Sequence, residues 1–196
     1  MAKRIFDIVG ALLGLIFILP FTPFIALAII VESGLPLFVR LNRVSEGSII
    51  KVWKFRSMAV GAHKQKQALA HLNERKDGPL FKIKHDPRLT RVGKWLRKFR
   101  LDEFPQFWNV LTGELTLVGP RPHEPEEMLA YPPEFKKLYY AKAGLTGLSQ
   151  IMGASGLPFR EELAYDEEYV ERQSLWFDLK ILLKTVVIFF TDPTGV

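Results

Sequence analysis

Asp102 and Glu103 are adjacent carboxylates that follow a run of bases: Arg91, Lys94, Arg97, Lys98 and Arg100. Two acids in so positive a setting can divide two tasks. One can attack phosphorus, since carboxylate nucleophiles form acyl phosphates. The other can hold a hard cation, because magnesium is commonly bound through one or two carboxylates together with substrate phosphates. The same pair also suits the start of a helix, with Asp102 as the N-cap and Glu103 complementing the dipole. Residue type and spacing leave both readings open.

Cations elsewhere are compatible with phosphate chemistry. Arg121 stands between two prolines in Gly119-Pro120-Arg121-Pro122. Fixed proline φ angles stiffen the loop, which then presents either a bidentate fork to a phosphate or an ordinary surface arginine. In Lys54-Phe55-Arg56-Ser57-Met58 the alternation puts Lys54 and Arg56 on one strand face, whether to bind phosphate or to meet solvent. Other chemistries lack their residues. There is no cysteine, no Asp-x-Asp pair, no P-loop, no G-x-G-x-x-G and no G-x-S-x-G, and the four histidines have no zinc spacing.

These residues need elements to carry them. Short strands are predicted at Leu37–Arg40 and Ile49–Phe55, with Glu46-Gly47 turning between them. Gly61–Asp77 is polar and reads as an exposed helix or a mobile insertion. Val92, Trp95, Leu96 and Phe99 recur at helical spacing, and a second helix is expected from Asp102 to Gly113, with Pro105 in its first turn. Glu114–Val118 reads as a strand, Glu126–Tyr140 as helix broken at Pro132-Pro133, Gly144-Leu145-Thr146-Gly147 as a turn and Glu161–Gln173 as an acidic helix.

The platform for these elements is apolar. Ile8 to Val31 contains no charge, and Pro20 and Pro23 interrupt its middle. The length suffices to cross a bilayer, but each proline frees a carbonyl four residues back, at Ile16 and Leu19. Bases flank both ends: Lys3 and Arg4 before, Arg40, Arg43, Lys51 and Lys54 after. Basic flanks favour the cytoplasmic side, so the prediction is a re-entrant helix-break-helix that leaves on the side it entered, in preference to a kinked span. The final helix, Leu175–Thr191, is apolar apart from Asp178, Lys180 and Lys184, and reads as either an interfacial or a core helix.

The expected fold class is α+β, mainly helical, with short strands in a small globular domain. Residues 1–34 form the anchor, 35–174 a cytoplasmic catalytic domain, and 175–196 an interfacial helix and tail. Charge is divided along the chain: residues 32–122 hold 18 Lys/Arg against 8 Asp/Glu, and residues 123–178 hold 5 against 11. The basic part can face anionic headgroups or a phosphate-rich ligand.

The ordered set of motifs resembles the bacterial sugar transferases, the monotopic polyprenol-phosphate phosphoglycosyl transferases, in a minimal catalytic form. The residues that carry the resemblance are Lys3-Arg4-Ile5-Phe6-Asp7, Lys54-Phe55-Arg56-Ser57-Met58, Leu101-Asp102-Glu103, Val118-Gly119-Pro120-Arg121-Pro122, Gly144-Leu145-Thr146-Gly147, and Tyr165-Asp166 through Lys180. The resemblance implies transfer of a sugar phosphate from a nucleoside (uridine) diphosphate sugar to membrane polyprenol phosphate through a covalent aspartyl-phosphosugar intermediate. It implies Asp102 as nucleophile, Glu103 as a Mg2+ ligand, and Arg121, Arg97, Lys54 and Asp166 as substrate-binding residues. It also implies a monotopic protein on the cytoplasmic face of the bacterial inner membrane, with membrane lipids as partners and no nucleic acid. Two departures stand out. Leu19 precedes Pro20 where the family often has serine, leaving Thr22 as a substitute, and Leu148-Ser149-Gln150-Ile151-Met152-Gly153 departs from the usual aromatic and Asn-Gly-Arg pattern. The competing reading is a non-enzymatic membrane adaptor whose basic face binds anionic lipid or nucleic acid.

Overall fold

A computed structural model describes residues 1–153 and 156–191; the end of the expected 175–196 segment, after Thr191, lies outside the described residues. The chain is mainly helical with two small sheets. Helix α1 (Ala2–Ile18) passes through a 3-10 turn (Leu19–Phe21) into α2 (Thr22–Ser33). Together they are one element of 32 residues, long and apolar enough to cross a membrane by length and composition.

The proline pair sets that junction. With Pro23 unable to donate, the tighter turn lets the Thr22 N–H bond the Leu19 carbonyl instead. The Thr22 hydroxyl then donates to the Ile18 carbonyl at 3.0 Å. Thr22 thus serves as the local donor, at the Ile18 carbonyl and not at Ile16 or Leu19, because the 3-10 turn has redirected its own N–H.

Both ends of this element are tied to the rest of the protein. Lys3 Nζ donates to Asp178 Oδ2 at 2.6 Å and to the Val118 carbonyl at 3.1 Å. Arg4 spans the Val110 and Leu111 carbonyls at 2.7 and 2.6 Å. Buried Asp7 accepts from the Thr116 hydroxyl at 2.8 Å and from the Leu117 N–H at 2.9 Å. At the far end, Glu32 accepts the Arg91 and Val92 N–H groups at 2.7 and 2.8 Å. Gly14 permits the close approach of α1: a Cβ there would lie 2.5 Å from the Phe107 ring.

Strands β1 (Phe38–Ser45) and β2 (Ser48–Phe55) form an antiparallel hairpin turned by Glu46-Gly47, with Phe38 opposite Phe55. Helices α3 (Arg91–Lys98) and α4 (Gln106–Thr112) lie beside the apolar element, α3 against α2 and α4 against α1. Strand β3 (Thr116–Val118) pairs in parallel with β4 (Gly144–Thr146). The expected turn at Gly144–Gly147 is therefore corrected to a strand followed by the start of a helix. Its partner is remote in sequence, and the pairing needs glycine: a Cβ on Gly144 would meet Gly119 N at 2.1 Å. The expected strand at Glu114–Val118 shortens to β3. Helix α5 (Pro125–Leu129) and a 3-10 stretch, Pro133–Tyr140, flank the Pro132-Pro133 break, and α6 (Leu148–Met152), α7 (Phe159–Arg172) and α8 (Leu175–Thr191) close the fold.

The main core joins Ala11 of α1, Val110, Leu117, Leu148, Tyr169 and Ile181 of α8. A second cluster brings Ile18, Ile25 and Ile29 onto Phe55 and Leu96. Helix α8 has two faces: Asp178 and Ile181 are fully buried, while Leu183, Val186, Val187 and Phe190 are exposed. Leu13, Ile16, Leu19, Phe24 and Leu27 are likewise exposed along the N-terminal element. So much contiguous apolar surface marks an interaction or membrane face.

Asp7→Ala leaves the Thr116 hydroxyl and the Leu117 N–H without their buried acceptor, each worth roughly 1–3 kcal/mol. It is expected to lower the unfolding midpoint of detergent-solubilised protein markedly, and Thr116→Val, which keeps the Leu117 bond, to lower it less. An unchanged midpoint for Asp7→Ala would show that this contact does not secure α1.

Candidate active site

Asp102 and Glu103 lie on a 3-10 turn, Leu101–Glu103, between α3 and α4. The expected N-cap role of Asp102 is corrected: α4 begins at Gln106, its N-cap position is Pro105, and no side chain caps it. The reason is local. Arg100 takes a left-handed conformation (φ 52°), which ends α3 and starts the tight turn, with the Glu103 N–H reaching the Arg100 carbonyl at 3.3 Å. Asp102 is consequently free of capping duty.

The dyad lines an open cavity of about 820 Å3 whose wall also includes Lys54, Arg56, Arg97, Arg100 and Arg121. Strand β2 delivers Lys54, whose Nζ meets Glu103 Oε1 at 2.5 Å. Lys54 and Arg56 both line the cavity, although β2 ends at Phe55. Arg56 turns to the end of α2, where its Nη2 donates to the Ser33 carbonyl and hydroxyl at 3.0 and 2.9 Å and to the Gly34 carbonyl at 2.5 Å. Arg97, on α3, donates through Nε to Ser57 Oγ at 3.0 Å.

The two acids titrate in opposite directions. Burial raises the Asp102 carboxyl above the ordinary aspartate range; Lys54 opposes the rise and the Glu103 charge adds to it. Burial also works to raise Glu103, but the Lys54 charge and hydrogen bond, with Arg121 and Arg100, outweigh it and draw that carboxyl down to about 2. Glu103 therefore remains a firm anion, with a side chain 36% exposed toward the cavity.

Arg121 is held from behind. Its backbone N–H donates to Asp166 Oδ2 at 3.1 Å, and its Nε lies 3.8 Å from Glu162 Oε1. Asp166 is buried, and its other oxygen accepts from Ser149 Oγ at 2.7 Å. It stands outside the cavity wall and supports the Arg121 loop, so among the expected binding residues Lys54, Arg97 and Arg121 share the cavity with the dyad and Asp166 does not. Burial drives the Asp166 carboxyl up to about 6, against the Ser149 bond.

Several residues here were not expected from sequence. Glu162 is fully buried where Arg75 Nη1 (3.3 Å), His123 Nε2 (3.5 Å) and Arg121 converge. Burial acts to raise its carboxyl, and these facing groups carry it below the usual range instead. His123 Nδ1 also bonds the Tyr131 hydroxyl. The signal for Glu162 was its i, i+4 spacing from the expected Asp166, which puts both on one helix face; it was obscured by the many acids around them. The 61–79 segment acquires a place as well: 3-10 turns at Ala62–Gln65 and Ala70–Leu72 lie near the cavity, which His63, Lys66 and Arg75 help line.

Residues 1–192 match the family described as bacterial sugar transferase. The chain is 37% identical over 190 residues to the UDP-galactose-lipid carrier transferase of Erwinia amylovora, covering 94% of this chain and 39% of that protein. It is 40% identical over 189 residues to galactosyl transferase CpsE of Streptococcus agalactiae, covering 95% and 42%. It is 38% identical over 203 residues to the UDP-glucose:undecaprenyl-phosphate glucose-1-phosphate transferase of Caulobacter vibrioides, covering 98% and 71%. The chain thus spans about two fifths of the length of the first two.

The raised Asp166 carboxyl has a readable consequence. Its ordinary value is 3.8 and its folded value about 6, so between those limits the folded state holds a proton that the unfolded chain has released. Stability from this group falls as pH rises through that window and is level on either side. The unfolding midpoint of the parent protein minus that of Asp166→Asn is expected to decrease from about pH 4 to about pH 6 and then flatten. A constant difference would show that Asp166 ionises as in the unfolded chain.

Proposed function

This chain belongs to the bacterial sugar transferase family, and on that footing we propose that it moves a sugar phosphate from a uridine diphosphate sugar to a membrane polyprenol phosphate. The observation that carries the reading is the pairing of a buried Asp102 with a strongly anionic Glu103 in a cavity walled by Lys54, Arg97 and Arg121. Two acids among that many cations suit a substrate that brings several negative charges. The names of the relatives supply the donor base and the acceptor class: two contain a UDP-sugar and one undecaprenyl phosphate.

In the proposed reaction an Asp102 carboxylate oxygen attacks the phosphorus that bears the sugar. The bond from that phosphorus to the oxygen bridging it to the nucleotide phosphate breaks, and UMP leaves with the electron pair. An oxygen of polyprenol phosphate then attacks the same phosphorus and Asp102 departs as carboxylate, leaving polyprenol-diphosphate sugar. Arg121 and Arg97 bind the phosphate oxygens, and Lys54 fixes the Glu103 carboxylate in position and charge. Desolvation of Asp102 strips the nucleophile of the water that would otherwise compete for its lone pairs.

The dyad fits Mg2+ of a particular kind. Among the described residues no group of three His, Cys, Asp or Glu side chains could hold a metal. Glu103 would hold the ion jointly with donor phosphates, the usual arrangement for magnesium at a diphosphate. When bound, Mg2+ would neutralise charge on the leaving nucleotide phosphate.

The N-terminal element is proposed as a re-entrant, monotopic anchor on the cytoplasmic face of the inner membrane. Its support is geometric: the foot of α1 and the end of α2 both bond to the same domain, and the two prolines and the 3-10 turn lie between them. The exposed apolar residues of α1, α2 and α8 would face lipid.

Asp102→Asn is expected to abolish turnover and the mass increase of one sugar phosphate that the parent protein shows with donor alone; full activity in this variant would refute the nucleophile. For topology, Cys introduced by Ala2→Cys in this cysteine-free chain is expected to react with an impermeant thiol reagent only from the cytoplasmic side. Labelling only from the periplasmic side would sink the re-entrant anchor.

A further inference from the structure

Most cations on the cavity wall already have partners. Lys54 pairs with Glu103, Arg88 with Asp86, Arg75 with Asp77 and Glu162, Arg97 with Ser57, and Arg121 lies against Glu162. Arg100 differs. Its side chain is half-buried and lines the cavity, its Nε is buried without a partner, and among the described residues no hydrogen bond or ion pair engages its guanidinium. On the same wall, Arg56 is 4% exposed and also keeps Nε and Nη1 buried and unpartnered. Desolvated donors without acceptors are costly, and a guanidinium fork matches a phosphate in shape and charge.

The backbone directs Arg100 to this place. Its left-handed φ of 52° is uncommon for a residue with a side chain. It is fixed by two bonds, the Arg100 N–H to the Arg97 carbonyl at 2.9 Å and the Glu103 N–H to the Arg100 carbonyl.

The surroundings indicate from which side an anion would come. Leu101, the next residue, packs on the Ile18, Ile25 and Ile29 cluster of the apolar element. Phe99, the preceding residue, packs on Trp95 at 5.1 Å between ring centroids, and Trp95 is 52% exposed. Exposed tryptophans beside an apolar surface belong at a headgroup level. Arg56 bonds the last carbonyls of α2, so it too stands where the apolar element joins the domain. Arg121, by contrast, is anchored to α7 on the opposite, acidic part of the chain.

We propose that Arg100, backed by Arg56, binds the phosphate of the lipid-borne acceptor, as a second anion site separate from that of Arg121. This rests on the transferase reading above. The ligand chemistry is a phosphate monoester on an apolar chain, entering from the side where Leu101 meets α1 and α2. Arg100 would hold that phosphate beside the dyad, with an oxygen free to attack the phosphosugar.

The test uses the full chain in nanodiscs of uncharged lipid. Arg100→Gln is expected to raise the KM for polyprenol phosphate about tenfold, the loss anticipated for a charge-assisted hydrogen bond. The donor KM and the exchange of labelled UMP into UDP-sugar without acceptor are expected to shift much less than the acceptor KM, the remaining shift reflecting the Arg100 charge beside Glu103. Arg100→Lys is expected to recover part of the acceptor KM. In parallel, farnesyl phosphate titrated by phosphorus NMR is expected to bind the parent protein and to bind Arg100→Gln about tenfold more weakly, with farnesol and inorganic phosphate binding far less than farnesyl phosphate. Exchange slowed in Arg100→Gln as much as the acceptor KM rises, or an unchanged acceptor KM and farnesyl phosphate affinity, would overturn the assignment. Equal binding of inorganic and farnesyl phosphate would overturn its lipid character. Absence of exchange in the parent protein would instead defeat the covalent-intermediate reading, and the farnesyl phosphate titration would still decide Arg100.

Discussion

Three charged side chains at the foot of α1 fix how an apolar helix meets a polar cavity. Hydrophobic contact alone is non-directional, and a helix of leucine, isoleucine and phenylalanine can slide on an apolar surface at little cost. Lys3, Arg4 and Asp7 remove that freedom. Lys3 reaches Asp178 of α8, Arg4 takes carbonyls near the end of α4, and Asp7 holds the start of β3. Helix α4 follows the dyad turn directly, and β3 runs into the loop that carries Arg121. Both halves of the cavity are therefore referenced to one helix turn, and the position of the Asp102–Glu103 turn is set by bonds with defined lengths.

Above that foundation, the cavity is organised by unequal pairing of charge. Glu103, at the cavity, and Glu162, fully buried, each face several cations that hold their carboxyls below the usual range. Asp102, deeper than Glu103, is moved the other way, its carboxyl raised by burial. Glu162 and Asp166, one helical turn apart, share the work of holding Arg121: one faces its guanidinium and the other its backbone. A buried carboxylate that keeps several partners satisfied is specific in a way that a solvated surface pair is not.

Much of this was legible in the sequence where the signal is local. The hairpin around Glu46-Gly47, the break at Pro132-Pro133, the helix through Val92 and Leu96, and the long uncharged run with its two prolines all follow from turn chemistry and periodicity. The grouping of Asp102, Glu103, Lys54, Arg97 and Arg121 came instead from the resemblance carried by the ordered motifs, and these residues do line one cavity. What escaped depends on partners remote in the chain. Gly144-Leu145-Thr146 has turn composition and becomes a strand because β3 accepts it edge to edge. Asp102 has the composition of a cap, but Arg100 diverts the backbone two residues earlier. Glu162 looks like one more surface acid until Arg75 and His123 close over it.

The far end of the N-terminal element is where its independence ends. Glu32 takes the Arg91 and Val92 N–H groups and Thr90 takes that of Gly93, so three of the N–H groups that any helix leaves open at its start are closed here. Two of the three depend on Glu32, which precedes every residue that lines the cavity. A truncation made to obtain a water-soluble fragment would therefore not simply remove a tether. It would reopen the Arg91 and Val92 N–H groups of α3, bare Phe55 and Leu96, and release Arg56 from Ser33 and Gly34. The stretch of this protein that looks most disposable holds the supports of the cavity in place.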